Sequence, residues 1–82
     1  MDYKFLDKVV DQILSETRID DDKLYTPFSS FFFYLLSFPS LQYPFYSHCK
    51  NVYSIKDEQE TEYVWNRYME GIRTLIDKKE LC

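Results

Sequence analysis

Apolar residues near the start of the chain recur at helical spacing along one face of residues 2–17. The set comprises Phe5, Leu6, Val9, Val10, Ile13 and Leu14. Charged and amide side chains fill the opposite face, where residues three or four positions apart lie side by side. A stripe of this period is typical of a helix that packs one face against a core. The pattern therefore predicts an amphipathic helix over residues 2–17.

A second stripe of the same period occupies the last third of the chain. It comprises Thr61, Val64, Trp65, Tyr68, Ile72, Leu75 and Ile76. Acidic residues crowd the start of this segment and basic residues lie toward its end, an order that complements the helix dipole. Ser54-Ile55-Lys56-Asp57 is similar to a capping box with Asp in the fourth position, so Ser54 is the expected N-cap. We predict a helix over residues 55–79.

The middle of the chain, residues 24–49, carries no Asp, Glu, Lys or Arg and holds ten of the sixteen aromatic residues. Pro27 and Pro39 bracket eleven of these residues. As a helix, eleven residues reach only about 17 Å. A bilayer core is about 30 Å thick, so this segment is too short for a transmembrane helix.

The sequence is compatible with two secondary structures for this aromatic segment. Helical spacing brings most of its large apolar side chains to one side and its serines to the other, which favours a helix over residues 28–38. That apolar side comprises Phe28, Phe31, Phe32, Leu35 and Phe38. Aromatic residues also favour strands, and a short apolar run is ambiguous by periodicity. The alternative is a hairpin or strand pair within residues 24–38.

Two shorter features complete the predicted fold. Asp20-Asp21-Asp22-Lys23 is typical of a solvated turn, and Pro44 opens a short helix that continues through Asn51. The sequence thus predicts one domain over residues 1–82, mostly α, in which the aromatic segment folds across the two long helices. An α+β fold with a short hairpin is the alternative.

Composition and charge argue against two classes of function, nucleotide binding through a Gly-rich loop and nucleic-acid binding. Ten Lys and Arg stand against fourteen Asp and Glu, a formal net charge of −4, and there is one Gly. A single Gly excludes the Gly-rich phosphate loops of nucleotide-binding folds. The acidic balance argues against nucleic acid as a partner, because duplex binding depends on clustered cations. The absence of Ala and the scarcity of Gly indicate an AT-rich genome, viral or bacterial.

His48 and Cys49 are the residues with the most obvious chemical potential. Adjacent residues on a helix point about 100° apart, so the pair does not face each other as a nucleophile and its base must. We interpret His48 as a half-buried structural residue and Cys49 as an apolar filler, with a small enzyme centred on His48 as an alternative. The spacing of the two cysteines matches no zinc motif. We expect no metal and no cofactor, and no small-molecule ligand can be identified.

Aromatic residues also provide the candidate interface. A chain of 82 residues buries only roughly 60–65% of its unfolded surface, so sixteen aromatic residues are expected to leave an apolar patch, which usually marks an interface. We expect a homodimer, the commonest closed assembly. The candidate interface residues are Phe31, Phe32, Phe33, Tyr34, Trp65, Tyr68 and Gly71. Gly71 lies within the second stripe, which indicates either close approach of another helix or a tolerated substitution.

The expected function is a non-enzymatic protein-interaction or homo-oligomeric structural module. A membrane-surface protein that uses the Phe-rich segment is the first alternative, although acidic flanks are repelled by anionic lipid. An acidic decoy of a basic partner is another alternative. Charges interrupt every apolar run near the N-terminus, so no signal peptide is expected and a cytoplasmic location is predicted.

Overall fold

The computed structural model describes residues 2–29, 31–34 and 40–81, which form helices packed with a small antiparallel sheet. The helices are α1 (Tyr3–Ser15), α2 (Gln42–Tyr53) and α3 (Glu58–Leu81). The strands are β1 (Arg18–Asp20), β2 (Lys23–Tyr25) and β3 (Phe33–Tyr34), in the spatial order β1-β2-β3. The prediction of a mostly α small domain is confirmed, and the short hairpin of the alternative is also present.

The two amphipathic helices α1 and α3 make the most extensive contact between elements. Tyr3 at the start of α1 packs edge-on against Tyr63 with ring centroids 5.0 Å apart. The Tyr63 hydroxyl donates to Asp7 Oδ1 at 2.9 Å. Toward its end, α1 brings Leu14 against Gly71. Because contacts advance in the same direction along both helices, α1 and α3 run parallel.

One contiguous core lies between the helices and the inner face of the sheet. Phe45 on α2 is fully buried at its centre, with ring centroids 4.9 Å from Tyr68, 5.2 Å from Trp65 and 5.6 Å from Phe28. The buried apolar residues are Leu6, Val9, Val10, Ile13, Leu24, Leu41, Phe45, Cys49, Ile55, Val64, Tyr68 and Ile72. Both helical stripes predicted from the sequence therefore supply the core.

The start of α3 differs from the prediction. Ser54 does not cap it, because Ser54 has a left-handed backbone (φ 58°) and instead ends α2. Asp57 is the N-terminal cap, and its Oδ1 accepts from the backbone N–H of Gln59 at 2.8 Å and of Glu60 at 3.3 Å. The intervening Ile55 is buried in the core. The four residues resembling a capping box are therefore a linker, and the helix begins at Glu58 instead of residue 55.

In the described part of the range, residues 28, 29 and 31–34, the chain does not form the helix predicted over residues 28–38, and the hairpin alternative is confirmed. β2 pairs antiparallel with β3 in the register Leu24 opposite Phe33. Phe33 packs against the core, while Phe32 and Tyr34 are exposed on the other face. The strand shows no polar–apolar alternation because its outward positions are aromatic too. Leu35 and Phe38 lie outside the described residues.

The remaining local predictions are confirmed with adjusted bounds. The turn falls at Asp21 and Asp22, between β1 and β2, with Asp21 in the left-handed region (φ 57°). The helix around Pro44 exists, but it begins at Gln42 and ends at Tyr53. Strand β1 was not predicted from the sequence.

Candidate functional site: the aromatic sheet face

The outer face of the sheet brings together aromatic and cationic side chains from three strands. Ile19, Leu24 and Phe33 point toward the core. Side-chain direction alternates along a strand, so the neighbouring residues point outward. We call this surface the sheet face and define it by Arg18, Asp20, Lys23, Tyr25, Phe32 and Tyr34.

These side chains form two adjacent rows across the strands. Arg18 lies opposite Tyr25 in the β1–β2 register, and its Cζ is 4.7 Å from the Tyr25 ring centroid. The Tyr25 and Phe32 centroids are 6.1 Å apart. In the second row Lys23 lies opposite Tyr34, and Lys23 Nζ is 5.1 Å from the Phe32 centroid. The Phe32 and Tyr34 rings meet edge-to-face at 5.5 Å. The face is therefore a continuous layer of ring and cation–π contacts.

Two rings of this layer, and Phe31 next to it in the chain, are open to solvent. Phe31 is 78% exposed, Tyr34 54% and Phe32 41%. The Phe31 backbone N–H donates to Ser29 Oγ at 3.1 Å, which fixes the local chain just before β3. Exposed large apolar side chains that are adjacent, instead of scattered singly, mark interaction surfaces.

A shallow groove continues from Phe31 along α2. Its walls are mainly aromatic, proline and aliphatic side chains, and its volume is about 780 Å³. We call it the α2 groove, and its main lining residues are Pro27, Phe28, Phe31, Pro44, His48 and Val52. Phe31 thus stands between the groove and the sheet face and joins them into one apolar surface.

The structure divides the predicted interface residues into two sets. Phe31, Phe32 and Tyr34 are exposed as an interface requires, and Phe33 is partly buried against the core. Phe33 faces inward between Phe32 and Tyr34, so it supports the surface from beneath.

Trp65, Tyr68 and Gly71 lie apart from this surface, and for Tyr68, which is buried, the predicted interface role is wrong. Tyr68 is fully buried, and its hydroxyl hydrogen-bonds Thr17 Oγ1 at 2.8 Å. Trp65 is half-buried and packs against Phe45. Gly71 faces Leu14 within the same chain. The apolar stripe of α3 packs against α1 and the core. Tyr68 and Gly71 therefore contribute to packing within one chain.

His48 lies in an apolar setting between two rings. Its ring centroid is 5.8 Å from Phe28 and 5.7 Å from Tyr53, and its Nε2 is buried without a hydrogen-bond partner among the described residues. Burial lowers the pKa of His48, and the negative charge of Glu16 opposes that effect. Burial also raises the pKa of the neighbouring Cys49 thiol to about 12, so the thiol stays protonated at neutral pH. Thiolate is the nucleophilic form, so this environment suits a packing role for Cys49.

The lowered His48 pKa predicts how stability depends on pH. In the unfolded chain His48 binds a proton at its ordinary pKa of 6.5, whereas the folded protein resists protonation. The contribution is therefore fully present above pH 6.5 and is lost as the pH falls from there toward the lower folded-state pKa. Urea denaturation at pH 7.5 and pH 5.5 should show less stability at the lower pH. His48→Phe should remove most of this difference, and an unchanged difference in that variant would refute the assignment.

Arg18 and Lys23 are two residues of this candidate site that the sequence pattern did not identify. Residues 24–49 contain no Lys or Arg, so the sequence of this segment alone predicts no cation beside its rings. The hairpin folds Arg18 and Lys23 onto that segment from outside it. The sequence does contain a signal for this hairpin. A two-residue turn separates two short runs that alternate polar and apolar residues, Arg18-Ile19-Asp20 and Lys23-Leu24-Tyr25.

Comparison with known proteins assigns no relative to this chain. No protein-family model matches the sequence, no curated protein is significantly similar to it, and no solved structure matches it significantly. Among residues 2–29, 31–34 and 40–81, no helix has both the length and the apolar character needed to cross a membrane. That part of the chain also holds no group of three or more His, Cys, Asp or Glu residues placed to bind a metal ion.

Proposed function

We propose that the protein is a non-enzymatic interaction module that forms a homodimer through the sheet face and Phe31. The observation that carries this proposal is the layer of exposed aromatic side chains, with Phe31 at its edge 78% exposed. Aromatic residues anchor protein interfaces because they bury a large area at little conformational cost. The cytoplasmic location expected from the sequence stays a prediction.

The charges on this surface favour a second copy of the chain as the partner. Arg18 and Lys23 lie on the face, and Asp20 stands opposite Lys23 in the β1–β2 register. A two-fold axis pairs a patch with itself, so a stable patch must carry both charge signs or neither. Two copies paired through this face bring the cations of one within reach of Asp20 of the other. Burying the rings between copies also adds apolar burial that a small domain lacks.

Two rival functions use the same surface. Exposed Phe31 and Phe32 beside Arg18 and Lys23 suit insertion at a membrane surface, where rings enter the interface and cations meet anionic lipid. Aromatic side chains interleaved with cations also suit single-stranded nucleic acid. The run Asp20-Asp21-Asp22 at the end of β1 places three acids next to these cations, which disfavours both polyanionic surfaces. We therefore prefer the dimer.

Light scattering of the parent and two variants tests the dimer. At micromolar concentration the parent should have twice the chain mass of 10.0 kDa. The double variant Phe31→Ser/Phe32→Ser should shift to the single-chain mass while circular dichroism shows the fold retained. Tyr43→Ser is the matched control, because Tyr43 is 81% exposed but contributes to no ring contact of the sheet face. A parent of single-chain mass, or a double variant that remains dimeric, would overturn the proposal.

Flotation with anionic vesicles distinguishes the membrane rival. The dimer account predicts that the parent stays with the unbound fraction. Co-flotation that is lost in Phe31→Ser/Phe32→Ser but kept in Tyr43→Ser would instead favour the membrane-surface function. Fluorescence anisotropy with a labelled oligothymidylate gives the corresponding test for single-stranded DNA, for which no saturable binding is expected.

A further inference from the structure

A second groove lies on α1, apart from the sheet face. Five residues of α1 form one wall, Lys4, Phe5, Lys8, Val9 and Gln12. The N-cap residue Asp2 also lines the groove, and Tyr53 at the end of α2 contributes to the other side. We call it the α1 groove. Its volume is about 540 Å³, within the range of roughly 300–1,000 Å³ that small-molecule sites occupy.

The apolar part of this groove is partly open to solvent. Val9 is buried and belongs to the core, whereas Phe5 in the same helical stripe is 37% exposed. The stripe of α1 is therefore not completely covered by α2 and α3 at this end. The exposed Phe5 ring and the neighbouring Val9 provide a short apolar surface suited to an alkyl chain.

The polar groups around this surface are mainly hydrogen-bond donors. Lys4 and Lys8 are one helical turn apart, so both ammonium groups can reach the same point. Neither lysine forms an ion pair with any of the described residues. Burial and the nearby charge of Glu16 raise the pKa of Tyr53, so its phenol remains a neutral donor.

The acidic groups near the groove already have partners. Asp2 Oδ1 accepts from the Phe5 backbone N–H at 3.2 Å and so caps α1. Glu16 Oε1 accepts from Gln12 Nε2 at 3.2 Å. Two lysines that form no ion pair with the described residues therefore outnumber the single carboxylate that lines the groove, that of Asp2. This combination selects a ligand with one anionic end and an apolar body.

We propose that the α1 groove binds a carboxylate amphiphile, such as a medium-chain fatty acid. The carboxylate lies between the ammonium groups of Lys4 and Lys8, and the alkyl chain lies on Phe5 and Val9. The Tyr53 hydroxyl provides an additional donor at the polar end. This site shares no residue with the sheet face, so the proposal of a ligand here does not depend on the proposed dimer.

Titration with three probes of equal chain length tests this site. Octanoate, 1-octanol and octylammonium are added below their aggregation concentrations while amide resonances are recorded by NMR. Octanoate should give saturable shifts over residues 4–12 and at Tyr53, with about five-fold weaker binding of 1-octanol and no saturable binding of octylammonium. Equal binding of octanoate and octylammonium would overturn the proposal, as would octanoate shifts confined to the α2 groove.

Lysine substitutions test the placement of the carboxylate. Lys4→Gln/Lys8→Gln should weaken octanoate binding about five-fold and leave 1-octanol binding unchanged. The matched control is Lys50→Gln/Lys56→Gln, which removes the same charge from lysines that line a different depression. Both variants are checked for folding by circular dichroism. Equal loss in the two variants would show a net-charge effect and contradict the site, and so would unchanged binding in the first.

Discussion

Phe45→Ala should lower the free energy of unfolding by about 3–5 kcal/mol, the range for removing a buried Phe side chain. Phe45 is fully buried and its ring contacts Phe28, Trp65 and Tyr68. Removing the ring leaves a cavity at the point where α2, α3 and the segment after β2 meet. Urea denaturation followed by circular dichroism measures the loss. A small domain has few kcal/mol to lose, so Phe45→Leu provides a milder variant that should still fold.

Tyr43→Ala is the control for this prediction. Tyr43 lies on the same helix two residues earlier and is 81% exposed. Its substitution should change stability by no more than about 0.5 kcal/mol, as is usual at a surface position. If Tyr43→Ala and Phe45→Ala destabilised the protein equally, the orientation of α2 described above would be wrong.

Gly71→Leu should lower the free energy of unfolding by about 3 kcal/mol, because it forces a large side chain into the α1–α3 crossing. A Cβ atom at Gly71 would lie 2.5 Å from Leu14 Cδ1 and 2.9 Å from Leu14 Cδ2, so even Ala requires Leu14 to move. Gly71→Ala gains about 1 kcal/mol of helix propensity. The Leu14 methyl groups belong to a partly buried side chain and can shift. We therefore expect the cost of moving them to offset that gain and to leave Gly71→Ala close to neutral in the parent.

A double-mutant cycle with Leu14→Ala isolates the crossing. Truncating Leu14 removes the atoms that an added Cβ would meet, so Gly71→Ala should stabilise the Leu14→Ala background by about 1 kcal/mol. The difference between the two backgrounds is a coupling energy of the kind that residues in contact produce. Equal stabilisation of both backgrounds by Gly71→Ala would show that the Gly71 position is open to solvent.

The two long helices could be predicted because their buried residues recur at the helical period. Leu6, Val9, Val10 and Ile13 are all buried as the stripe of α1 requires. Gly71 was recognised as a possible close crossing for the same reason, since its place in the stripe directs any side chain toward a neighbour. The identity of that neighbour, Leu14, depends on tertiary packing and is not contained in the local pattern.

The sheet was harder to predict because its two faces carry the same kind of side chain. Phe33 faces inward while Phe32 and Tyr34 face outward, and periodicity cannot separate three consecutive aromatic residues. Only pairing with β2 fixes which face each ring occupies. The prediction of the N-cap of α3 was wrong for a related reason. Ser54 and Asp57 are both good caps, and the burial of Ile55 in the core selects Asp57.

The most direct test of the proposed interface is an isotope-filtered NOE experiment on a mixture of labelled and unlabelled protein. One half of the sample carries carbon-13 and the other half does not, so that only contacts between copies appear. We predict intermolecular NOEs that involve the rings of Phe31, Phe32 and Tyr34. Intermolecular NOEs from Tyr43 or Tyr3 in place of these rings would contradict the sheet face as the interface. A sample of single-chain mass with no intermolecular NOE would contradict self-association itself.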